Sequence, residues 1–342
     1  MQLHGSIPYT ELRMLGLSPD AIIDFSATVN PFPVPDIVKE TICRIPLSAY
    51  PDPEAHDAVE AVAAFYDLPE NWCLITTGMT EPIFILPAFF SSAAYFSPSY
   101  GDYAAAFRRY GGSLQGIPFT VSDGGWAQTS DSLRNLNPEL VIICNPNNPD
   151  GTYTSLDQIE EICRTFSDTT VYVDESYQEM AVGCESAVSL VNRYANLLVA
   201  KSLTKPFGIG GVRVAYLMGS GPMLENIRSR LLPWGVSMIA QTIVPVLFSI
   251  RETFREQWNT IITEKEKLVR GITALGYPVN SSRAPYFLVT TGNAADTRKQ
   301  LLEGYRIHVR DCTSFGMRDT IRIMPQLPEQ NDQILESLRK MQ

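Results

Sequence analysis

The chain has 342 residues, of which 45% are hydrophobic, and it carries a net charge of −10. This length and composition support a large core in a soluble protein, and the negative charge argues against nucleic acid or an anionic membrane as a partner. No segment resembles a signal peptide or a membrane span, and the six cysteines lack C-x-x-C spacing. We therefore expect reduced thiols, no metal site and a cytoplasmic location.

The predicted elements alternate between strand and helix patterns. Residues 1–45 are predicted to form an N-terminal arm and the first part of a small domain. Residues 46–235 are predicted to form a large domain, with strand patterns at 73–76, 94–96, 140–144, 171–173, 197–200 and 212–217 and helix patterns such as 53–66 and 155–166. Amphipathic segments at 238–249 and 251–275, followed by strand patterns at 286–290 and 321–324, indicate that residues 236–342 complete the small domain. This order predicts an α/β fold with a mostly parallel sheet.

Polar clusters follow three of these strand patterns. Residues 145–151 are N-P-N-N-P-D-G, residues 174–177 are D-E-S-Y, and residues 202–205 are S-L-T-K, with Arg213 eight residues after the lysine. Ligands of open α/β sheets lie outside the carboxyl ends of the strands, so the clusters can converge on one small molecule. A lysine held there and partly desolvated can act as a nucleophile. Each cluster alone is also explained as a turn or a helix N-cap.

A fourth segment, 74–90, combines a strand pattern, a turn at Gly78 and an apolar helix pattern at 83–90. The free N–H groups at the start of a helix favour an anion, so this turn is suited to a phosphate.

The motifs N-P-N-N-P-x-G, D-E-x-Y and S-x-T-K-x-x-x-x-x-G-x-R occur together in this chain. Nearly end to end, it resembles the fold-type-I pyridoxal phosphate (PLP) enzymes of the aspartate aminotransferase superfamily. Within that superfamily it is similar to the branch that holds histidinol-phosphate aminotransferase and threonine-phosphate decarboxylase. The resemblance implies a large domain with a mostly parallel seven-stranded sheet flanked by helices, a smaller α+β domain, a PLP cofactor and a homodimer.

The resemblance also assigns roles toward the cofactor. Lys205 would bind the PLP aldehyde covalently, Asp174 would pair with the pyridinium nitrogen, and Asn148 and Tyr177 would contact the phenolic oxygen. Tyr103 would stack on the ring, although it is also explained as an aromatic residue at the start of a surface helix. The residues implied for the phosphate are Gly78, Met79, Thr80, Ser202, Thr204 and Arg213, together with Tyr50 from the partner chain of the dimer. Tyr50 lies in Tyr-Pro-Asp-Pro, which is equally an ordinary turn.

Four residues are implied for the substrate. Arg322 would bind the α-carboxylate, and because it lies between two isoleucines on a strand, its side chain should face the opposite side of the sheet from theirs. Arg310 would meet a second anion, although Arg310 and Asp311 could also form a weak surface pair. Asn30 would face the substrate. His4 would join it from the arm, unless that arm is a disordered terminus.

The function favoured by the resemblance is amino transfer of the histidinol-phosphate type, from a small amino acid or amine, phosphorylated or not, to a keto acid. The nearest alternative is decarboxylation of L-threonine O-3-phosphate. A dinucleotide-binding oxidoreductase is a remote alternative, because the glycines at 208–211 do not have G-x-G-x-x-G spacing. A non-catalytic regulator is disfavoured because the lysine motif is intact.

Overall fold

The computed structural model describes residues 5–119 and 125–342. In these residues the strands are β1 (Ile23–Asp24), β2 (Cys73–Thr76), β3 (Ser92–Ser97), β4 (Ser113–Pro118), β5 (Leu140–Cys144), β6 (Thr170–Asp174), β7 (Leu197–Ser202), β8 (Ala215–Gly219), β9 (Phe287–Thr290), β10 (Ile307–His308), β11 (Arg310–Asp311) and β12 (Thr320–Ile323). The α-helices are α1 (Tyr9–Leu15), α2 (Asp36–Cys43), α3 (His56–Tyr66), α4 (Thr80–Ile85), α5 (Gly101–Tyr110), α6 (Gly125–Leu136), α7 (Leu156–Thr165), α8 (Gly221–Arg228), α9 (Met238–Ser249), α10 (Arg251–Ala274), α11 (Ala294–Tyr305) and α12 (Pro328–Lys340).

The main sheet has seven strands in the order β2-β8-β7-β6-β5-β3-β4. Strands β3 to β7 pair in parallel, whereas β8 is antiparallel to both of its neighbours. The predicted α/β fold with a mostly parallel sheet is therefore confirmed. Smaller sheets form from β11-β12-β9 and from β1 paired with β10.

Both faces of the main sheet are buried, as expected for parallel strands covered by helices. Along β6, Val171 and Val173 belong to the core under α3, α7 and α9, whereas Tyr172 belongs to the core under α4, α5 and α8. A separate core forms where the three-stranded sheet packs on α10, α11 and α12, and it includes Ile321 and Ile323. The boundaries proposed at 45/46 and 235/236 stay predictions.

Local features explain where the elements differ from the sequence predictions. The edge strand β4 has no strand pattern in its sequence, Ser-Leu-Gln-Gly-Ile-Pro, and only Ile117 of it is buried. The helix expected at 83–90 ends at Ile85 and continues as a short 3-10 turn, Leu86–Ala88, because Pro87 cannot continue the helical hydrogen bonds. The strand expected from residue 212 begins at Ala215.

In the described ranges, none of the helices combines the length and the apolar character needed to cross a bilayer.

Candidate active site

A pocket lies beyond the carboxyl ends of β5, β6 and β7, and the structure brings the three predicted polar clusters together around it. Asn148 follows β5, Asp174 ends β6, Tyr177 comes just after β6, and Lys205 follows β7. The other predicted residues that line the pocket are Met79, Thr80, Ser202, Thr204, Arg213, Arg310 and Arg322.

Lys205 has the environment of an activated amine. Burial lowers its pKa to about 8, and the positive charges of Arg213 and Arg322 act in the same direction, against the opposing effect of Asp174. Its amine donates no hydrogen bond to a described residue. A larger fraction of this amine is therefore unprotonated near neutral pH than for an exposed lysine.

Hydrogen bonds from Asn30 and Trp258 fix the backbone of the turn that carries Lys205. The backbone N–H of Asn30 donates to the carbonyl of Lys205 at 2.9 Å. The next carbonyl, of Pro206, accepts from the indole of Trp258 at 2.7 Å and from the side-chain amide of Asn30 at 3.0 Å. These bonds fix the backbone and leave the lysine side chain free to extend into the pocket.

Asp174 is a buried carboxylate with donors on both oxygens. Its Oδ1 accepts from the backbone N–H of Ser176 at 3.0 Å and from the Ser176 hydroxyl at 2.6 Å, while Oδ2 accepts from the hydroxyl of Tyr103 at 2.8 Å. Burial raises the pKa of Asp174, and the donated hydrogen bonds and the charge of Lys205 oppose that rise. A carboxylate with this support suits a protonated ring nitrogen.

Of the two tyrosines at the start of α5, Tyr100 lines the pocket and Tyr103 lies outside the pocket lining. Tyr103 is fully buried behind Asp174 and meets Tyr100 edge to face, with ring centroids 5.7 Å apart. The two tyrosines lie three residues apart at the start of α5, about one helical turn. A difference of one turn therefore separates the residue that lines the pocket from the one behind it. The stacking role predicted for Tyr103 does not match its placement, whereas Tyr100 is placed for it.

One end of the pocket has the donors that a phosphate requires. The hydroxyls of Ser202 and Thr204 are buried and lie 2.8 Å apart, each the other's partner. Gly78 has a φ of 78°, and a Cβ added there would lie 2.7 Å from a terminal nitrogen of Arg213. Arg213 thus packs directly against the backbone of Gly78, where a side chain would not fit. The hydroxyls of Ser202 and Thr204 and the guanidinium of Arg213 are available to an anion. These residues fit the phosphate of PLP.

Arg322 also lines the pocket. Its side chain faces the pocket while Ile321 and Ile323 face the core, as the alternation on β12 predicts. Arg322 donates to the side-chain oxygen of Asn148 and to the carbonyl of Ser26, but its buried Nε has no hydrogen-bond partner among the described residues. An unpartnered buried N–H favours an acceptor, such as a carboxylate, at this point.

Arg310 lies directly across from Arg322 in the pairing of β11 with β12. It donates to the Ser314 hydroxyl at 2.6 Å and to the carbonyl of Asp311 at 2.8 Å, and it lies over the ring of Phe315. Burial and the charge of Arg322 lower its pKa to about 10. Like charges directly opposite on neighbouring strands are unfavourable unless an anion lies between them. The pair therefore favours an anionic ligand.

Two further predicted residues, Asn30 and Tyr50, do not line the pocket. Asn30 is buried, but its side chain binds Pro206, Gln257 and the backbone of Phe32, so it supports the lysine turn and does not line the pocket. Tyr50 is 82% exposed and packs near Trp234, away from this pocket. His4 lies outside the described residues.

Sequence reasoning also missed several residues of the pocket wall. Thr28, which donates to the hydroxyl of Tyr177 at 3.1 Å, lies two residues before the predicted Asn30, and Phe315 lies five residues after the predicted Arg310. Those predicted residues were a usable signal, because a segment that brings one residue to a pocket tends to bring its neighbours. The remaining wall residues not predicted are Gly5, Tyr100, Cys144 and Ser176.

Comparison with known proteins gives relatives of two activities. The chain is similar to a histidinol-phosphate aminotransferase from Thermotoga sp., at 29% identity over 90% of both chains. It is also similar to a threonine-phosphate decarboxylase from Salmonella typhimurium, at 26% identity over 99% of this chain and 96% of the relative.

The chain is also similar to solved structures of a threonine-phosphate decarboxylase and a histidinol-phosphate aminotransferase. The L-threonine-O-3-phosphate decarboxylase from Porphyromonas gingivalis superimposes with a TM-score of 0.83 at 26% identity, covering 93% of this chain and 98% of that one. The histidinol-phosphate aminotransferase from Sinorhizobium meliloti, in complex with pyridoxal-5'-phosphate, has a TM-score of 0.89 at 18% identity, covering 98% and 95%, and shows the shared fold. The model of the family "Aminotransferase class I and II" matches residues 20–338, and the chain therefore belongs to this family, as a fold-type-I PLP enzyme.

Proposed function

We propose that this PLP-dependent enzyme is an aminotransferase that takes the amino group from an amino acid or amine bearing an additional anionic group and passes it to a keto acid. The observation that carries the proposal is the placement of Lys205 and Asp174 in one pocket with the opposed pair Arg310 and Arg322. One half of that pocket suits the cofactor and the other half suits a substrate with two negative charges.

The residues that would hold PLP are those whose chemistry matches its functional groups. Lys205 would bind the aldehyde, Asp174 the ring nitrogen, and Asn148 and Tyr177 the phenolic oxygen, with Tyr100 against the ring. Ser202, Thr204 and Arg213 would hold the phosphate, with the backbone of residues 78–80. When bound, PLP withdraws electron density from the substrate Cα and so weakens the bonds to that carbon.

The protein's own groups would orient the substrate and move the proton. Arg322 would bind the α-carboxylate of an amino-acid substrate, or the phosphate of an amine that has no carboxylate, through its planar donors. These include the Nε that has no partner among the described residues. With a pKa of about 8, Nζ of Lys205 would accept the proton that leaves the substrate Cα and deliver it to the aldehyde carbon of the cofactor, on the other side of the amino nitrogen. Burial raises the pKa of Tyr177 to about 12, so its hydroxyl stays protonated and serves as a hydrogen-bond donor.

A direct test is to incubate the purified chain with histidinol phosphate and, separately, with threonine O-3-phosphate, each with and without 2-oxoglutarate. Aminotransfer predicts that glutamate forms only when 2-oxoglutarate is present, without release of CO₂.

Replacing Arg322 by Lys keeps the charge but removes the planar set of N–H donors. We therefore expect the KM for the substrate to rise at least about tenfold.

Decarboxylation is the second candidate, and a specific observation favours it. The similarity to the Salmonella typhimurium decarboxylase covers 99% of this chain, including the N-terminal segment before residue 20 that the family model does not match. Release of CO₂ from threonine O-3-phosphate without a keto acid would support this candidate over aminotransfer.

The proposal includes a homodimer in which Tyr50 reaches the cofactor phosphate of the partner chain. It is supported by the exposure of Tyr50, whose ring lies 5.7 Å from that of the exposed Trp234, and by the exposure of Leu47 and Leu232 close to them in the sequence. Exposed apolar side chains of this kind are buried in dimers. A cytoplasmic location is proposed from the scattered cysteine residues, of which Cys73, Cys144, Cys163 and Cys312 are buried.

A further inference from the structure

Behind the active-site pocket, on the other face of the main sheet, lies a buried cluster of charges. Lys201 is 2% exposed, and its ammonium donates to Gln178 at 2.6 Å, to Glu175 at 3.2 Å and to Glu179 at 3.1 Å. Glu179 also pairs with Arg251 at the start of α10. Burial would lower the pKa of Lys201, but the charges of the two glutamates prevail and raise it, so the amine stays charged.

The alternation of side chains along two neighbouring strands connects this cluster to the pocket. At the end of β6, Asp174 faces the pocket and Glu175 faces the opposite side; at the end of β7, Ser202 faces the pocket and Lys201 faces the opposite side. Each strand therefore presents one residue to the site and the adjacent residue to the cluster.

From this arrangement we infer that Lys201 is a positioning residue, whose single ammonium fixes the segment 174–179 and the segment 201–205 relative to each other. The first segment carries Asp174 and Tyr177, and the second carries Lys205. The inference rests on the proposed function, because the alignment of these groups matters only if they share a cofactor.

Hydrogen bonds hold both Lys201 and Glu175 of this cluster in fixed positions. An ammonium has three N–H donors, and Lys201 directs them at three acceptors that all belong to residues 175–179. The far side of Glu175 is fixed as well, since its carboxylate accepts from the backbone N–H of Ala187 at 2.6 Å and from the hydroxyl of Ser186 at 2.5 Å. Loss of the ammonium would leave two buried carboxylates without this partner, and the segment 174–179 would have to move to hydrate them.

Lys265 offers a matched control. It is also a buried lysine, but its amine donates to the carbonyls of Ser282 and Ala284 and it does not line the pocket. Replacement of either lysine by Met removes a buried ammonium from its acceptors, so both variants should lose stability. Only the Lys201 variant should alter the geometry of the site.

The test measures hydrogen–deuterium exchange on the full chain without added PLP. Lys201→Met should increase the exchange rates of residues 174–180 and of residues 202–208 together, by at least about tenfold. Lys265→Met should increase exchange around 282–286 and leave those two segments unchanged. Equal exchange of both segments in wild type and in Lys201→Met would overturn the inference.

A second measurement uses the PLP-loaded protein and a milder pair of variants. Glu175→Gln keeps the shape and can still accept from the N–H of Ala187, but it removes one charge. Its amide nitrogen can donate to the hydroxyl oxygen of Ser186 and can no longer accept from Lys201. Lys201→Arg keeps the positive charge. We expect the pH midpoint of the visible cofactor absorbance to shift by about half a unit or more in Glu175→Gln and to stay closer to the wild-type value in Lys201→Arg. A wild-type midpoint in Glu175→Gln would contradict the inference, even if Lys201→Met failed to fold. Failure of the wild-type chain to bind PLP would instead overturn the proposed function, and the exchange experiment does not depend on it.

Discussion

At the scale of single residues, the reactivity of Lys205 depends on its charged neighbours. Burial disfavours the charged amine, and two guanidinium groups increase that effect while Asp174 counteracts it. As a result, part of the Lys205 amine is unprotonated and can act as a nucleophile at physiological pH. The same arginines that would bind the anions of cofactor and substrate therefore also prepare the lysine.

The first prediction concerns the contribution of Arg213 to this effect. Arg213→Gln removes one positive charge, so we expect the pKa of Lys205 to rise from about 8 toward its ordinary value. The pH dependence of the reaction rate with pyridoxal, which lacks the phosphate that Arg213 would bind, reports this pKa directly. Arg339→Gln, at an exposed site on α12, is the control. An unchanged midpoint in Arg213→Gln would show that the guanidinium does not influence the amine.

The second prediction concerns the hydrogen bond from Tyr103 to Asp174. Tyr103→Phe removes one donor to a buried carboxylate, a loss of about 1.5–3 kcal/mol for a charged acceptor, so we expect kcat to fall about tenfold or more. Tyr194→Phe is a matched control, because its hydroxyl binds Glu160 at 2.7 Å outside the pocket lining. Similar kcat values for the two variants would argue against a role of Tyr103 in supporting Asp174.

Among the secondary-structure elements, the ends of the strands position the candidate catalytic residues, and the helices pack against the strands. Helix α7 follows the N-P-N-N-P-D-G segment, and it begins with a capping box in which the side chain of Ser155 and the side chain of Gln158 each bind the other's backbone N–H. Because α7 is fixed at its first turn, the chain between β5 and α7 has a defined path past the pocket.

The third prediction tests this cap. Ser155→Ala removes the acceptor for the N–H of Gln158 and should lower the free energy of unfolding by about 1 kcal/mol. Chemical denaturation measures the change. Ser132→Ala, which removes a hydroxyl bonded to a carbonyl within α6, is the comparison and should change stability by less than about 0.5 kcal/mol. Equal values for the two variants would contradict the role of the cap.

At this scale, the sequence predicts the central strands well and the edge of the sheet poorly. β5, β6 and β7 are continuous apolar runs because both of their faces are buried, so their patterns are strong. The exposed edge strand β4 gains its structure from pairing with β3, which leaves little trace in its own residue types.

At the scale of the whole molecule, the site is assembled from residues that lie far apart in the chain. Lys205, Asp174 and Asn148 were predictable because each belongs to a local motif at a strand end. Asn30 and Tyr103 differ from prediction because the choice between facing the pocket and supporting it depends on tertiary contacts. For Asn30 those contacts are Pro206 and Gln257, which no local pattern reveals.

The fourth prediction concerns the proposed dimer. If Tyr50 serves the site of the partner chain, a Lys205→Ala chain and a Tyr50→Ala chain should complement each other when refolded together. Each mixed dimer would contain one intact site, so an equal mixture should recover about a quarter of the wild-type activity. Activity that stays at the level of the separate variants would mean that Tyr50 acts in its own chain or not at all.

The central claim is that the amine of Lys205 binds PLP, and reduction with borohydride tests it most directly. Borohydride converts the imine between a lysine and the PLP aldehyde into a stable secondary amine, which peptide mass spectrometry can locate. We expect the label on the peptide that contains Lys205 and no label in Lys205→Ala. A label on another lysine of the wild-type chain, with Lys205 unmodified, would contradict the account.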